Sequence, residues 1–229
     1  MSLRSAVKDL PIFGPLAVAV ARRLKRDRFT DSAQYWERRY VTGGNSGAGS
    51  YNRLAQFKAD FLNQFVRGHE VKSVIEFGSG DGAQLELAEY PEYIGVDVSK
   101  AAIEKTRVRF ASDPSKRFYE PTELPPESSA ELSLSLDVIY HLVEDDVFDR
   151  YMYDVFSKAS RFVIVYSSNE ETAVPAQHVR HRQFTDWVER NCPAFRLRDR
   201  IPNRYPFDAE DPDNTSFADF YVFERTQRL

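Results

Sequence analysis

The chain has 229 residues, with 31 basic and 35 acidic side chains and a formal net charge of −4. This length, with a hydrophobic content of 42%, is sufficient for one α/β domain with a full core. The near balance of charge excludes the strongly basic surface typical of general nucleic-acid binders. Cys192 is the single cysteine, which excludes an internal disulfide and predicts a reducing, cytoplasmic environment.

The first 30 residues differ in composition from the rest of the chain. Residues 12–21 are mostly apolar, and a basic cluster follows them directly. The apolar run is too short to cross a membrane, and a secretory signal would carry its charge in front. We predict an N-terminal arm over residues 1–30. Two interpretations stay open: a helix docked on the domain, or an interfacial helix in weak contact with an anionic membrane surface through residues 11–28.

From residue 31 onward, helical and strand patterns alternate. Apolar spacing predicts helices at residues 31–40, 83–88, 145–158 and 184–190. Two further helices are predicted to begin at a capping serine: one runs from Ser50 through Phe65, and the other runs from Ser99 to about residue 110. Apolar, β-branched runs predict strands at residues 71–77, 93–96, 117–119, 131–139, 162–166, 195–201 and 218–223.

This alternation predicts an α/β fold: a Rossmann-like, doubly wound, mostly parallel seven-stranded sheet. No helix separates the last two strands, so we expect an antiparallel terminal hairpin strand. Residues 31–229 read as one domain, in which residues 31–68 form an N-terminal helical lid. Residues 42–49 contain four glycines and predict a mobile loop, which we expect the cofactor to order.

A glycine-rich turn follows the first predicted strand. The strand ends in Glu76-Phe77, and Gly78, Gly80 and Gly82 then occupy alternate positions. Glycines at such a strand-to-helix turn let backbone N–H groups approach a ligand closely. Asp97 ends the second strand, 19 positions after Gly78, where an acid can accept hydrogen bonds from ribose hydroxyls. These features predict a site for an adenosine-bearing cofactor.

Further motifs resemble those of class I S-adenosylmethionine-dependent methyltransferases. The Glu76-x-Gly78-x-Gly80-x-Gly82 pattern resembles their first motif, and Asp97 resembles their ribose-binding acid. The resemblance implies that Glu120 contacts the adenine amino group and that Asp137 meets the methionine end of the cofactor, although Asp137 as a structural acid stays open. It implies S-adenosylmethionine as cofactor, with cofactor contacts from Glu76, Gly78, Ser79, Gly80, Asp97, Val98, Glu120 and Asp137.

Two histidines are candidate catalytic residues. His141 follows the fourth strand at the edge of the sheet where ligands bind, and a neutral imidazole suits the task of a general base for a hydroxyl acceptor. The alternative is that His141 only packs or bonds a backbone carbonyl. His178 begins the basic stretch of residues 178–182, for which a substrate-anion site and a solvated turn both remain open. The scattered histidines predict no metal site.

We therefore predict an enzyme that transfers a methyl group from S-adenosylmethionine to a small-molecule acceptor, a hydroxyl of a sugar or other metabolite. The base-methylation signature Asn/Asp-Pro-Pro-Tyr/Phe does not follow the fourth strand, and the chain lacks a basic face, so we expect no nucleic-acid substrate. Two alternatives remain: an NAD-dependent oxidoreductase on a Rossmann fold, and a non-catalytic cofactor-binding protein.

Overall fold

The computed structural model describes residues 29, 31–172 and 176–226, and its helices and strands belong to the unit Asp31–Leu229. The predicted arm at residues 1–30 lies outside the described residues, apart from Phe29, and its docking or membrane contact therefore stays a prediction. Among the residues that are described, no helix has both the length and the apolar composition needed to cross a membrane.

Helices and strands alternate along the described chain. In order they are α1 Ser32–Val41, α2 Asn52–Gly68, β1 Ser73–Phe77, β2 Glu92–Val96, α3 Lys100–Arg109, β3 Lys116–Tyr119, β4 Ala130–Leu136, α4 Asp145–Ser157, β5 Ala159–Ser167, α5 Phe184–Asn191, β6 Phe195–Ile201 and β7 Asp219–Arg225. The strands form one sheet in the order β3-β2-β1-β4-β5-β7-β6. Strand β7 runs antiparallel to both of its neighbours, and the pairs from β3 to β5 are parallel. The predicted doubly wound sheet with an antiparallel terminal hairpin strand is confirmed.

Both faces of the sheet are covered, which explains the nearly continuous apolar sequence of the central strands. On one face, α2 packs its apolar stripe, including Leu62 and Phe65, against β1, β4 and β7. On the other face, α4 and α5 contribute Met152 and Val188 to a second cluster. Ile164 in β5 is fully buried between these layers.

Three predicted elements differ from the structure. Ser50 does not cap α2, because Gly47 adopts φ +91° and a 3₁₀ turn at Ala48–Ser50 comes first; the cap position falls on Tyr51. The fourth strand ends at Leu136 rather than at residue 139. Asp137 there has φ +59°, a left-handed conformation that breaks the strand, and a 3₁₀ turn at Ile139–His141 follows. The predicted helix at residues 83–88 is a shorter 3₁₀ turn, Gln84–Leu87.

The carboxyl ends of β2, β1 and β4 are adjacent in the sheet. Asp97, Gly78 and Asp137 immediately follow these strands or lie close to their ends. In open α/β sheets, ligands bind outside this edge, at the point where the strand order reverses. Here the order reverses between β1 and β4, so the predicted cofactor motifs meet at the position that the topology favours.

Candidate functional site

The turn after β1 requires glycine at its first position. Gly78 has φ +80°, and a Cβ atom added to it would lie 2.3 Å from Cγ2 of Val138. Its backbone N–H donates to the carbonyl oxygen of Val96 at 2.7 Å, which fixes the turn against the end of β2. Any side chain at Gly78 would therefore be both strained and in collision.

Asp97 is a buried carboxylate held by backbone donors. Its Oδ2 accepts from the N–H of Gly80 at 2.8 Å, and its Oδ1 accepts from the N–H of Ser99 at 2.8 Å. Burial raises the pKa of Asp97 to about 6, although the two backbone hydrogen bonds oppose this shift. The carboxylate thus links the glycine turn to the start of α3, where Ser99 caps the helix by accepting from the N–H of Ala102.

Glu76 lies beneath the glycine turn and is 5% exposed. Its Oε2 accepts a hydrogen bond from the hydroxyl of Tyr93 at 2.7 Å. Burial raises the pKa of Glu76 to about 7, against the opposing effects of the Tyr93 hydrogen bond and the nearby Lys58 charge. Glu76 therefore titrates near neutral pH in the free protein.

Asp137 forms a partly buried ion pair at the end of β4. The Nζ of Lys58, in α2, lies 2.6 Å from Asp137 Oδ2, and the Lys58 side chain is 1% exposed. The hydroxyl of Tyr140 donates to Asp137 Oδ1 at 2.9 Å. The backbone of Gly49 passes close to the same carboxylate, because an added Cβ would lie 2.6 Å from Oδ2. Three separate segments thus converge on one acid.

His141 lies at the edge of the cavity, in contact with Trp36, whose ring centroid is 4.9 Å from the imidazole. Its Nδ1 lies 3.1 Å from the carbonyl oxygen of His178, the backbone hydrogen bond that the sequence left as an alternative role. In the tautomer that makes this bond, Nδ1–H donates and Nε2 is left as an acceptor. Burial lowers the pKa of His141 to about 4, so the ring is neutral at pH 7.

The His178 ring lies behind His141. The two imidazoles are stacked with centroids 5.7 Å apart, and His178 also stacks on Tyr35 at 4.6 Å. Next along the basic stretch, Arg182 donates to Asp145 at 2.6 Å, and His181 pairs with Ser168 at 2.6 Å. In this arrangement the segment ties the end of β5 to the start of α4. In the part of the chain that the structure describes, no group of three or more His, Cys, Asp or Glu side chains is placed to hold a metal ion.

One cavity of about 480 Å³ connects these groups. This volume is in the range of small-molecule sites. Of the predicted site residues, those lining it are Glu76, Gly78, Ser79, Gly80, Asp97, Val98, Asp137 and His141. Glu120 and His178 do not line the cavity. The loop after β3 instead contributes Pro121 and Leu124, while the N–H of Glu120 donates to Glu123 at 3.3 Å.

The glycine-rich segment of residues 43–50 lies over the turn after β1. Ser46 Oγ donates to Asp81 Oδ1 at 2.7 Å, and the hydroxyl of Tyr51 donates to Asp81 Oδ2 at 3.1 Å. Tyr40 lies 2.9 Å from Ser46 Oγ, and both of these residues line the cavity. Helix α1 is held by Glu37, which accepts from Ser99 Oγ at 2.6 Å.

The sequence analysis does not predict two groups of this site. The first is Lys58, which lies four residues from both Leu54 and Leu62; because these leucines are fully buried, that spacing places Lys58 on the buried face of α2. The second is Asp81, which the sequence marks only as part of the glycine turn. Its hydrogen bonds to residues 30 and 35 positions earlier have no local signal in the sequence.

No family model and no curated protein matches the sequence of this chain. Solved structures do match its fold. The N-methyltransferase NodS from Bradyrhizobium japonicum WM9, in complex with S-adenosyl-L-homocysteine, has a TM-score of 0.68 and 14% identity; the match covers 86% of this chain and 100% of NodS. Magnesium protoporphyrin IX methyltransferase from Synechocystis PCC 6803 has a TM-score of 0.58 and 13% identity, covering 97% and 100%.

The methyltransferase domain of bacterial CtHen1-C also matches, with a TM-score of 0.58, 17% identity, and coverage of 76% of this chain and 100% of that one. At these identities the likeness concerns the fold. The chain has the fold of class I S-adenosylmethionine-dependent methyltransferases, as the motif resemblance implied.

Proposed function

We propose that this chain is an S-adenosylmethionine-dependent methyltransferase that acts on a hydroxyl group of a small molecule, a sugar or other metabolite. One observation carries the proposal: the carboxylates of Glu76 and Asp97, which are buried, and of Asp137, which is partly buried, line a single cavity around the glycine turn. Asp97 supplies acceptors for ribose hydroxyls, and Gly78 and Gly80, both at positive φ, form the tight backbone turn that lines the same cavity. The structures of NodS and of the porphyrin methyltransferase hold S-adenosyl-L-homocysteine, which supports the same cofactor here.

Bound S-adenosylmethionine would supply an activated methyl group, so the protein mainly has to position the acceptor and receive its proton. We assign the proton to Nε2 of His141. The hydrogen bond from Nδ1 to the His178 carbonyl orients the ring, and the low pKa keeps Nε2 unprotonated at pH 7. In this proposal His178 positions His141 through its backbone and ring stacking, and does not itself meet the acceptor.

A row of aromatic rings supports an uncharged acceptor with a ring. Phe207 and Phe217 are 54% and 37% exposed on the segment between β6 and β7. Their centroids are 6.1 Å apart; Phe217 lies 5.0 Å from Tyr140, and Tyr140 lies 4.5 Å from His141. The row thus leads from solvent to the candidate base, and exposed aromatic rings are suited to stacking against the C–H faces of a sugar ring.

The charges of the same segment disfavour a polyanionic acceptor. Between residues 202 and 218 it carries one arginine and four acids, Asp208, Glu210, Asp211 and Asp213. Nucleic-acid binding depends on neutralising phosphates with basic side chains, which this segment does not offer. This supports a neutral metabolite over RNA as the acceptor. RNA is the acceptor named for the HEN1 small-RNA methyltransferase, whose fold is also similar, with a TM-score of 0.56 and 16% identity; the match covers 78% of this chain and 26% of that one.

Calorimetric titration with S-adenosyl-L-homocysteine and with NADH tests the cofactor. We expect saturable binding of the first and none of the second; NADH binding without S-adenosyl-L-homocysteine binding would favour an oxidoreductase and overturn the proposal. Transfer of tritiated methyl from S-adenosylmethionine is then measured on neutral oligosaccharides, heparin and single-stranded RNA. We expect label in a neutral saccharide, and label in RNA alone would overturn the acceptor assignment.

A further inference from the structure

Helix α1 begins against the turn that carries His141. The hydroxyl of Ser32, the first residue of α1, lies 2.7 Å from the carbonyl oxygen of His141 and 2.6 Å from Glu144 Oε2. The N–H of Ser32 donates to Glu144 Oε1 at 3.0 Å, and the N–H of Val143 donates to Ser32 Oγ at 3.3 Å. Ser32 is 3% exposed, so water competes little for these bonds. One residue thus connects α1 to the chain after β4 at three positions.

Glu144 serves α1 rather than the helix that it precedes. It occupies the cap position before α4, where a carboxylate is well placed for the N–H groups of its own helix. Within the described residues its side chain makes no capping bond to α4, and it accepts from the N–H and the hydroxyl of Ser32 instead. The negative charge therefore lies at the N-terminus of α1, where the helix dipole favours an anion. This charge stabilises the docked position of α1.

The docking of α1 fixes His141 at its backbone as well as at its ring. Its N–H donates to the carbonyl oxygen of Val138 at 2.8 Å, its own carbonyl oxygen faces Ser32 Oγ, and its Nδ1 lies 3.1 Å from the carbonyl oxygen of His178. Trp36, one turn further along α1, contacts the imidazole at 4.9 Å with the two ring planes at 77°. The remaining polar atom of His141 is Nε2, to which the proposed function assigns the acceptor's proton.

The same helix is tied to the segment that follows the predicted ribose acid. Glu37 Oε2 accepts from the hydroxyl of Ser99 at 2.6 Å and from the N–H of Ala101 at 3.3 Å. The N–H of Ser99 in turn donates to Asp97 Oδ1 at 2.8 Å. Ser32 and Glu37 are five residues apart, about 7.5 Å along the helix axis. One short helix therefore joins the segment of the ribose acid to the turn of the candidate base.

We propose that helix α1 positions the imidazole of His141 relative to the cofactor, with Ser32 as the positioning residue at the base and Glu37 as the anchor at the cofactor side; this inference rests on the proposed function. Ser32 acts through the backbone of His141. Without its hydroxyl the turn after β4 is free to shift, and a displacement of about 1 Å at a reacting group is enough to slow a reaction strongly. Glu37 holds the other contact of α1 beside Asp97, so that the base and the cofactor keep a fixed geometry.

Ser32→Ala tests this role in methyl transfer to the saccharide identified above. We expect kcat to fall at least about tenfold and the affinity for S-adenosyl-L-homocysteine to stay within about twofold. Ser32→Thr keeps a hydroxyl and should recover most of kcat. The matched control is Ser115→Ala, which removes another hydroxyl–carboxylate bond of 2.6 Å, to Asp113, away from the cavity lining. An unchanged kcat in Ser32→Ala, or an equal loss in the control, would overturn the inference.

A double-mutant cycle separates an effect on the base from an effect on the fold. In the His141→Ala background, Ser32→Ala should lower kcat no further, since no imidazole is left to position. A loss of the same size in both backgrounds would overturn the inference and leave His141 as the base. If His141→Ala alone keeps the wild-type kcat, the base assignment in the proposed function is overturned, and this inference with it.

Glu37→Ala tests the anchor at the cofactor side. Glu37 does not belong to the cavity lining, yet we expect its removal to lower kcat several-fold, and again only when His141 is present. An unchanged kcat in this variant would overturn the part of the inference that links α1 to the segment of Asp97.

Nitrogen-15 NMR of the imidazoles examines the ring in the ligand-free protein at pH 7, without methyl transfer. The signals of His141 are those that disappear in His141→Ala. In the wild type we expect a single neutral tautomer, protonated at Nδ1, with two well-separated nitrogen signals. In Ser32→Ala the ring should exchange between tautomers, which brings the two signals closer together. A variant that retains the wild-type separation would overturn the inference, whichever acceptor the protein uses.

Discussion

Nδ1 of His141 lies 3.1 Å from the backbone carbonyl oxygen of His178, 37 positions later in the chain. This contact fixes which imidazole nitrogen is free to accept a proton. It also explains why the basic stretch after β5 matters for a site at the end of β4: the carbonyl comes from that stretch, and its neighbours Arg180 and Arg182 anchor it through Asp145. A side chain at the edge of the cavity is thereby oriented by the backbone of another segment.

Replacing His141 by alanine should lower kcat for methyl transfer by at least about 100-fold, because general-base catalysis of this kind contributes factors of that order. The affinity for S-adenosyl-L-homocysteine should stay within about twofold, since the cofactor contacts are assigned to other residues. The ratio of the wild-type rate to the His141→Ala rate should also be flat between pH 5.5 and 8, because a base with a pKa of about 4 is already deprotonated there and the titration of Glu76 and Asp97 is common to both proteins. A ratio that instead falls with a midpoint near the usual histidine pKa of about 6.5 would contradict the assignment.

Glu76→Gln should make stability less sensitive to pH. The folded-state pKa of Glu76, about 7, lies above its ordinary value of 4.5, so the unfolded chain releases this proton first. Native stability from this group is fully present below pH 4.5 and is lost as pH rises through 7. In urea unfolding without ligand, the free energy of unfolding of the wild type should fall between pH 5 and pH 8 by about 2 kcal/mol more than that of the variant. A difference that does not change with pH would show that Glu76 is ionised in the native state.

The segment of residues 43–50 should control the release of the cofactor product. Ser46 and Tyr51 both donate to Asp81, which lies in the glycine turn itself. Ser46→Ala removes one of these bonds, so we expect dissociation of S-adenosyl-L-homocysteine to become several-fold faster in stopped-flow measurements. The matched control is Thr42→Ala, whose hydroxyl bonds the end of α1 and does not line the cavity. Equal rates for both variants would exclude a gating role for the Ser46–Asp81 contact.

The sequence predicts the sheet well and the charged interior of the site poorly, for a physical reason. Strands such as β5 contain a continuous apolar run, which is compatible with few structures other than a buried strand. The glycine turn after β1 is recognisable because its residues are adjacent in the sequence. The Lys58–Asp137 pair joins residues 79 positions apart, and nothing local to either one marks the other as its partner. The sequence also predicts the end of β4 incorrectly, because the alternation of Leu132, Leu134 and Leu136 does not indicate that Asp137 takes a left-handed conformation.

Phe217→Ala should weaken binding of the acceptor without affecting binding of the cofactor. Phe217 is edge-on to Tyr140 and 37% exposed, so its removal shortens the aromatic row while leaving the cavity lining unchanged. We expect KM for the saccharide identified by methyl transfer to rise about tenfold, and the affinity for S-adenosyl-L-homocysteine to stay the same. Tyr153→Ala, which removes a 49% exposed aromatic ring on α4, is the control and should change neither value. An unchanged KM in the Phe217 variant would remove this surface from acceptor binding.

Gly49→Ala tests whether the covering segment and Asp137 are in direct contact. The added Cβ would lie 2.6 Å from Asp137 Oδ2, the oxygen that accepts from Lys58, so either the carboxylate or the segment has to move. We expect affinity for S-adenosyl-L-homocysteine to fall about tenfold, with only a small decrease in Tm, because the clash falls on a surface segment rather than on the core.

Gly68→Ala provides the matched glycine control. An added Cβ there has nothing within 4 Å, and Gly68 ends α2, where alanine is the better helix former. Cofactor affinity should be unchanged in this variant and stability equal or slightly higher. If Gly49→Ala binds S-adenosyl-L-homocysteine as tightly as Gly68→Ala does, the segment of residues 43–50 accommodates the added methyl group without disturbing Asp137.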